Sequence, residues 1–191
     1  MSHNALPASI RQRPERKRVI YQPPWRVDVV QRAGIWSPLS ASAIGAAIIT
    51  ALEAAGAPAP GSVTVVLTDD PELAELNLEH MGMDGATDVL SFPMLQPDAF
   101  PSPTPLEGRR RTHIGDIAIS VERAIEQAAA GSGGQTGDVR WSAADELRLL
   151  VTHGTLHLCG WDHAEPAEEA AMRALERSLL GGGSALGAAR S

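Results

Sequence analysis

The chain has 191 residues, of which 43% are hydrophobic and 20% are charged, so it is long and apolar enough to bury the core of one globular domain. No segment supplies the roughly 20 uninterrupted apolar residues that cross a bilayer, and residues 1–22 lack the apolar stretch of a secretory signal, so we expect a cytoplasmic protein with no membrane partner. A net charge of −7 argues against a protein that coats nucleic acid non-specifically, although it allows a local basic patch.

The N-terminal segment, residues 1–24, is polar, basic and rich in proline. Its basic cluster consists of Arg11, Arg13, Arg16, Lys17 and Arg18. Because such a segment offers little apolar surface to bury, the sequence predicts a flexible basic extension. The alternative interpretation is an arm that contacts RNA phosphates.

Strand and helix patterns alternate through residues 25–180. Runs of β-branched or alternating apolar residues predict strands at 26–30, 63–67, 88–92 and 114–121. Apolar residues at helical spacing predict helices at 38–55, 71–80, 122–130, 142–159 and 166–180. Together they predict a single α/β (α+β) domain over residues 25–180, with a small mixed sheet of about four strands packed with helices. Residues 181–191 are expected to form a disordered Gly/Ala tail.

The segment HGTLHLCGWDH, residues 153–163, holds three of the six histidines. His153 and His157 are four residues apart, which at about 100° per residue places both rings on one face of the long helix. Gly160 can adopt the left-handed conformation that ends a helix, so the chain can turn back and bring His163 to the same point. The sequence therefore predicts a metal site at the end of this helix, held by three imidazoles.

Three neutral imidazoles are typical of a catalytic zinc site, in which a fourth position stays open. Water at that position has its pKa lowered from about 15.7 towards 7, which supplies hydroxide at neutral pH. Cys159 is not expected to be the fourth ligand, because it lies about 200° around the helix from His157 and should face the core. The predicted cofactor is one Zn²⁺ ion per chain, although imidazole also binds nickel and cobalt.

The histidine spacing is also that of the metzincin zinc proteases, HExxHxxGxxH. In those enzymes a glutamate follows the first histidine and serves as the general base of peptide hydrolysis. Gly154 occupies that position here and has no side chain to accept a proton. A zinc peptidase is therefore the least favoured interpretation.

Three motifs together resemble the YbeY family of bacterial endoribonucleases, the rRNA maturation factors. They are HGTLHLCGWDH at residues 153–163, TDVLSFP at 87–93 and GDI at 115–117, in the family's order. The resemblance implies a single-domain metalloprotein that cleaves single-stranded RNA, with His153, His157 and His163 as zinc ligands that act through the bound metal and water. It also implies a role in maturation of the 3′ end of small-subunit ribosomal RNA and in ribosome quality control, with ribosomal RNA and the small ribosomal subunit as partners.

One stretch departs from the family. The family's RGKD-like segment, which precedes TDVLSFP, reads MGMD here, so Met81 and Met83 stand where the family has basic residues. A cation near the metal would hold the scissile phosphate and stabilise its developing charge. The departure therefore favours the alternative of a non-catalytic, metal-stabilised ribosome-assembly factor.

Further candidate residues are expected near the ion. Arg109, Arg110 and Arg111 end a proline-rich loop, residues 95–112, and would replace the missing charge if that loop folds over the site. Thr87 and Ser91, at the ends of one strand, are candidates for contacts to an extended RNA backbone, with strand packing as their alternative role. Asp162 and Asp116 are candidates for orienting the ligand imidazoles, with turn capping as their alternative role.

Overall fold

A five-stranded mixed sheet runs through the middle of the domain. The computed structural model describes residues 13–101, 110–131, 141–162 and 165–181. The strands are Glu15–Gln22 (β1), Trp25–Arg32 (β2), Gly61–Thr68 (β3), Val89–Pro93 (β4) and Thr112–Ser120 (β5). The helices are Ala41–Ala54 (α1), Asp70–Met81 (α2), Val121–Ala130 (α3), Ala143–Leu158 (α4) and Pro166–Gly181 (α5), with a short 3₁₀ helix at Pro97–Ala99. The strand order is β1-β2-β3-β5-β4, in which β2, β3 and β5 are parallel and the two edge strands are antiparallel to their neighbours.

The helices begin at side chains that satisfy their first free N–H groups. Ser40 caps α1 and Asp69 caps α2, each accepting a hydrogen bond from the backbone three residues on. Ser142 and Asp145 form a reciprocal capping box at the start of α4. The α/β class that the alternating patterns predict is confirmed.

The sheet has one strand more than the sequence predicts. Residues 15–22, expected to belong to a flexible extension, instead form β1 and pair along the whole of β2. Lys17 Nζ lies 2.7 Å from Asp28 Oδ2. The side chain of Ile20 packs against α1 at Gly45, which has no side chain of its own. Basic side chains interrupt the apolar alternation of this segment, so the strand is specified by its partner rather than by its own pattern. Residues 1–12 and 182–191 lie outside the described part of the chain.

The sheet is covered differently on its two faces. On one face, apolar residues of α1 and α4 pack against the inner strands; the cluster includes Ile44, Ile48, Val65, Ile117 and Leu156. On the other face, α2 contributes Leu73 and Leu76 to a smaller cluster with Leu90 and Phe92 of β4. None of the described helices has both the length and the hydropathy needed to span a membrane.

Helix α4 lies unusually close to the sheet at Gly154. A Cβ atom there would come within 2.9 Å of Ile117 Cγ2 and 3.1 Å of Val89 Cγ2. Ser91 Oγ donates a hydrogen bond to the Gly154 carbonyl oxygen at 3.0 Å, which fixes β4 to the helix. The glycine therefore sets the separation between β4 and the last two turns of α4, where the histidines lie.

Candidate metal site

The last two turns of α4 bring two imidazole rings together. The Nε2 atoms of His153 and His157 are 3.0 Å apart, and the ring planes meet at 81°. The predicted placement of both rings on one helix face is thus observed. The predicted third ligand, His163, lies outside the described residues, and within those residues no third His, Cys, Asp or Glu completes a metal-binding group.

The other ring nitrogens are held by fixed acceptors. His153 Nδ1 lies 2.7 Å from Glu176 Oε1 on α5, and His157 Nδ1 lies 2.8 Å from the carbonyl oxygen of Trp161. A carbonyl or carboxylate oxygen only accepts, so each Nδ1 carries the hydrogen and each Nε2 of a neutral ring presents its lone pair. Because these lone pairs face each other, the pair is stabilised by a cation or a proton between them.

This arrangement fits a divalent metal ion. Two nitrogens bound to zinc at 2.0–2.1 Å with tetrahedral angles are about 3.3 Å apart, close to the separation of His153 and His157. A hydrogen bond from the free ring nitrogen to a carboxylate or carbonyl is the usual support of a metal-binding histidine. The donor set is therefore one that zinc and similar ions prefer.

Glu176 is the residue that sequence reasoning missed. It is 5% exposed, although glutamate is rarely buried without a partner, and it shares the buried face of α5 with Met172. The available signal was a carboxylate at a position of the apolar stripe of α5. Nothing local, however, indicates that this stripe packs beside His153.

The chain turns back after α4 as the glycine predicts. Gly160 has a φ of +80°, and the Trp161 amide donates to the Leu156 carbonyl at 3.1 Å. This turn is what places the Trp161 carbonyl beside His157. Asp162, a candidate for orienting an imidazole, lines the adjacent cavity, while the described Nδ1 contacts are made by Glu176 and Trp161.

Cys159 belongs to the core rather than to the site. It is buried among apolar residues, and this burial raises the pKa of its thiol to about 12. A thiol with so high a pKa stays protonated at neutral pH and is a poor metal ligand. The structure agrees with the expectation that Cys159 does not complete the ligand set.

An open cavity of about 580 Å³ lies in front of the two histidines. Thr87 and Ser91 line it, as expected for residues that contact a substrate, and so does Met81. Its ionisable residues besides the histidines are Asp88 and Asp162, and the described lining includes no arginine or lysine. The described part of the wall thus supplies no positive side chain for a phosphate other than the histidines.

The arginines predicted to supply that charge are placed elsewhere. The guanidinium of Arg111 lies 5.2 Å from the ring centre of Tyr21, on β1 at the far edge of the sheet. Arg110 is exposed and is not part of the described cavity wall, and Arg109 lies outside the described residues. The condition for the arginines to replace the missing charge was that this loop folds over the site, and neither Arg110 nor Arg111 lies in the described cavity wall.

Asp116 is also separated from the histidines. Ile117 faces α4, so its neighbour Asp116 points to the opposite face of the sheet. There its Oδ1 lies 2.9 Å from His113 Nε2, and this hydrogen bond raises the pKa of His113. The described partner of Asp116 is therefore His113, on the face of the sheet opposite the candidate ligand imidazoles.

The fold and site define a mixed α/β domain with an imidazole pair suited to a metal ion at the mouth of an open cavity. Residues 37–182 match the sequence profile of the family described as endoribonuclease YbeY. Among curated relatives of that name, the protein of Salinispora tropica is 42% identical over 132 residues, covering 68% of this chain and 79% of the relative. The protein of Symbiobacterium thermophilum is 40% identical over 141 residues, covering 69% of this chain and 79% of the relative.

Among solved structures, the solution structure of TM1509 from Thermotoga maritima is similar to this chain, with 22% identity and a TM-score of 0.47, covering 84% of this chain and 92% of that one. The sequence matches, which extend over most of the domain, decide the assignment. The chain belongs to the endoribonuclease YbeY family.

Proposed function

We propose that this protein is a metal-dependent endoribonuclease specific for single-stranded RNA, which matures the 3′ end of small-subunit ribosomal RNA and takes part in ribosome quality control. Its substrate is then ribosomal RNA of the small subunit, and its place of action is the cytoplasm. Family membership supports the reaction class. The observation that carries the proposal is the pair of Nε2 atoms, 3.0 Å apart at the mouth of an open cavity.

The proposed cofactor is one Zn²⁺ ion per chain, held by His153, His157 and His163. When bound, such an ion acts as a Lewis acid and lowers the pKa of water, which is the chemistry that phosphodiester hydrolysis requires. The protein contributes the fixed ring orientations, through Glu176 and the Trp161 carbonyl. It also contributes the cavity in which the scissile phosphate is positioned.

The hydroxyls of the cavity wall favour RNA over DNA. Ser91 Oγ donates its hydrogen to the Gly154 carbonyl, and Thr87 Oγ1 donates to Asp88 Oδ1 at 3.2 Å. Each hydroxyl has one hydrogen, so each oxygen keeps its lone pairs for accepting a further hydrogen bond. A phosphate oxygen offers no hydrogen to them, whereas a ribose 2′-hydroxyl does. We assign Thr87 and Ser91 to contacts with the sugar.

The described cavity wall carries negative charge, which makes phosphate binding depend on the metal. Asp88 and Asp162 repel a phosphate, and the described wall offers no arginine or lysine to offset them. Within the described cavity wall, the imidazole-held cation is the positive group available to neutralise the scissile phosphate. This makes binding of RNA in the cavity dependent on metal, as well as cleavage.

A circular single-stranded RNA tests the reaction type directly. An endonuclease converts the circle to a linear molecule, whereas an exonuclease leaves it intact. We expect metal-dependent linearisation by the wild type, slower cleavage of duplex RNA, and no cleavage of DNA of the same sequence. Intact circles with metal-loaded, folded protein would contradict the proposal.

The second candidate is a non-catalytic assembly factor. The lack of a described cation in the cavity wall, with Met81 at its rim, is the observation that favours it. In that case the circular RNA remains intact, while binding to the small ribosomal subunit persists. A peptidase is disfavoured by the packing at Gly154, where the sheet leaves no space for a glutamate side chain.

A further inference from the structure

The hairpin of β1 and β2 lies on the N-terminal side of the segment that matches the family profile. The match covers residues 37–182, so both strands lie upstream of it. In the sheet, β1 is the edge strand farthest from β4, whose residues line the cavity. The hairpin thus presents a surface separate from the candidate metal site.

This hairpin is basic in an otherwise acidic chain. Residues 13–32 contain six arginine or lysine residues against two acidic ones, while the whole chain has a net charge of −7. Of the six, Arg13 and Arg32 form ion pairs with carboxylates of the α2 region, Asp69 and Glu72. These two cations tie the hairpin to the domain and are not available to a ligand.

The remaining cations outnumber their partners. Lys17 and Arg26 share the single carboxylate of Asp28. Arg16 and Arg18 are exposed, and the described residues provide no ion pair for either of them. Because side chains alternate along a strand, Arg16 and Arg18 lie on the face opposite Lys17. Positive charge therefore surrounds the free edge of β1.

An exposed aromatic ring lies at the same strand edge, on the face opposite Arg16 and Arg18. Tyr21 is 61% exposed and, by alternation, shares a face with Lys17. The guanidinium of Arg111 is stacked on its ring at 5.2 Å. Exposed aromatic rings next to arginine and lysine are what single-stranded nucleic acid requires, since bases stack on the ring and phosphates pair with the cations.

We propose that the β1–β2 hairpin anchors a segment of the RNA substrate outside the catalytic cavity. The RNA passes over the free edge of β1, with Tyr21 on one face of the strand and Arg16 and Arg18 on the other. RNA is favoured over an acidic peptide because nucleic-acid bases stack on an exposed aromatic ring next to cations, and Tyr21 remains 61% exposed beside Arg111. Four strand spacings of about 4.8 Å separate β1 from β4, so an RNA held at both places must extend across roughly 19 Å. The inference rests on the proposed ribonuclease function and predicts that the anchor assists long substrates alone.

The test compares Arg16→Gln/Arg18→Gln with wild type in binding to a long and to a short single-stranded RNA, over a range of salt. We expect the double variant to bind the long RNA more weakly. The slope of log Kd against log salt concentration should fall by about 1.4, which is about 0.7 for each phosphate that no longer pairs with an arginine. Binding and cleavage of an RNA that fills the cavity alone should not change. Arg148→Gln/Arg173→Gln, which removes two helix-surface arginines, is the matched control and should change neither.

Tyr21→Ala provides an independent variant, because an exposed ring can be removed without disturbing the core. It should weaken long-RNA binding about 5-fold or more, the effect of removing one base stack. Unchanged affinity and salt dependence in both variants would overturn the anchor. The anchor would also be overturned if the variants self-associate while their monomers bind RNA normally. The role of the arginines would then be to prevent the edge of β1 from pairing with another chain.

Two further outcomes separate this inference from its premises. Equal weakening of binding to a glutamate-rich peptide and to RNA would identify a general anion surface and overturn the assignment to RNA. Binding is measured separately from cleavage. Failure of the wild type to linearise circular RNA would refute the proposed function, whereas the binding measurements would still test the anchor.

Discussion

Replacement of Glu176 by alanine is the perturbation that best separates the metal site from the fold. Glu176 Oε1 lies 2.7 Å from His153 Nδ1, and the carboxyl is almost completely buried. In the alanine variant, His153 Nδ1 is deprived of its described acceptor, which is the group that fixes the tautomer of the ring. Removal of such a partner typically lowers metal affinity 10- to 100-fold, or about 1.4–2.7 kcal/mol.

The assay is zinc affinity by competition with a chelator, with circular dichroism and the unfolding temperature as measures of the fold. Glu176→Gln retains an oxygen that accepts from Nδ1–H, so it should recover most of the affinity that Glu176→Ala removes. Glu169→Ala is the matched control, because Glu169 lies on the exposed side of α5 in an ion pair with Arg173. Wild-type zinc affinity in a folded Glu176→Ala protein would refute the argument that the carboxylate holds the ligand ring.

Three other variants test separate parts of the account. Gly154→Glu should destabilise the domain by about 1–3 kcal/mol in urea unfolding and yield no peptidase activity, because a Cβ atom already meets Ile117 at 2.9 Å; wild-type stability would show that the helix can move away. Met81→Arg should lower the KM for RNA and steepen its salt dependence by about 0.7, and no change would mean that the cavity rim does not approach phosphate. Asp116→Asn should return the raised pKa of His113 towards 6.5 in an NMR titration. The bond favours protonated His113, so its stabilisation is present below pH 6.5 and is lost as the pH rises through the raised pKa; an unchanged titration would contradict the pairing.

The parts of the site that the sequence predicts are those set by local periodicity. His153 and His157 share a face because of helical spacing, and Gly160 ends the helix because it tolerates positive φ. Glu176 escapes prediction because it reaches His153 from 23 residues away, through packing of α5 that no local pattern specifies.

The errors have the same origin. The charged residues of β1 interrupt the apolar alternation by which a strand is predicted. Its conformation is set by pairing with β2. Arg111 would lie over the histidines only if its loop folded over the site, whereas it stacks on the ring of Tyr21 in β1. Strand alternation predicts that Asp116 and Ile117 lie on opposite faces of the sheet. Which of them faces the histidines depends on the side of β5 against which α4 packs, and the local pattern does not specify that side. The missed strand β1, like the positions of Arg111 and Asp116, therefore depends on contacts between elements that are distant in sequence.

The most direct test of the central claim measures bound zinc and circular-RNA cleavage in the same preparations of wild type, His157→Ala and His113→Ala. The account predicts that His157→Ala loses metal and cleavage together, whereas His113→Ala, altered on the opposite face of the sheet, keeps both. Cleavage at the wild-type rate by folded His157→Ala protein that has lost its metal would contradict it.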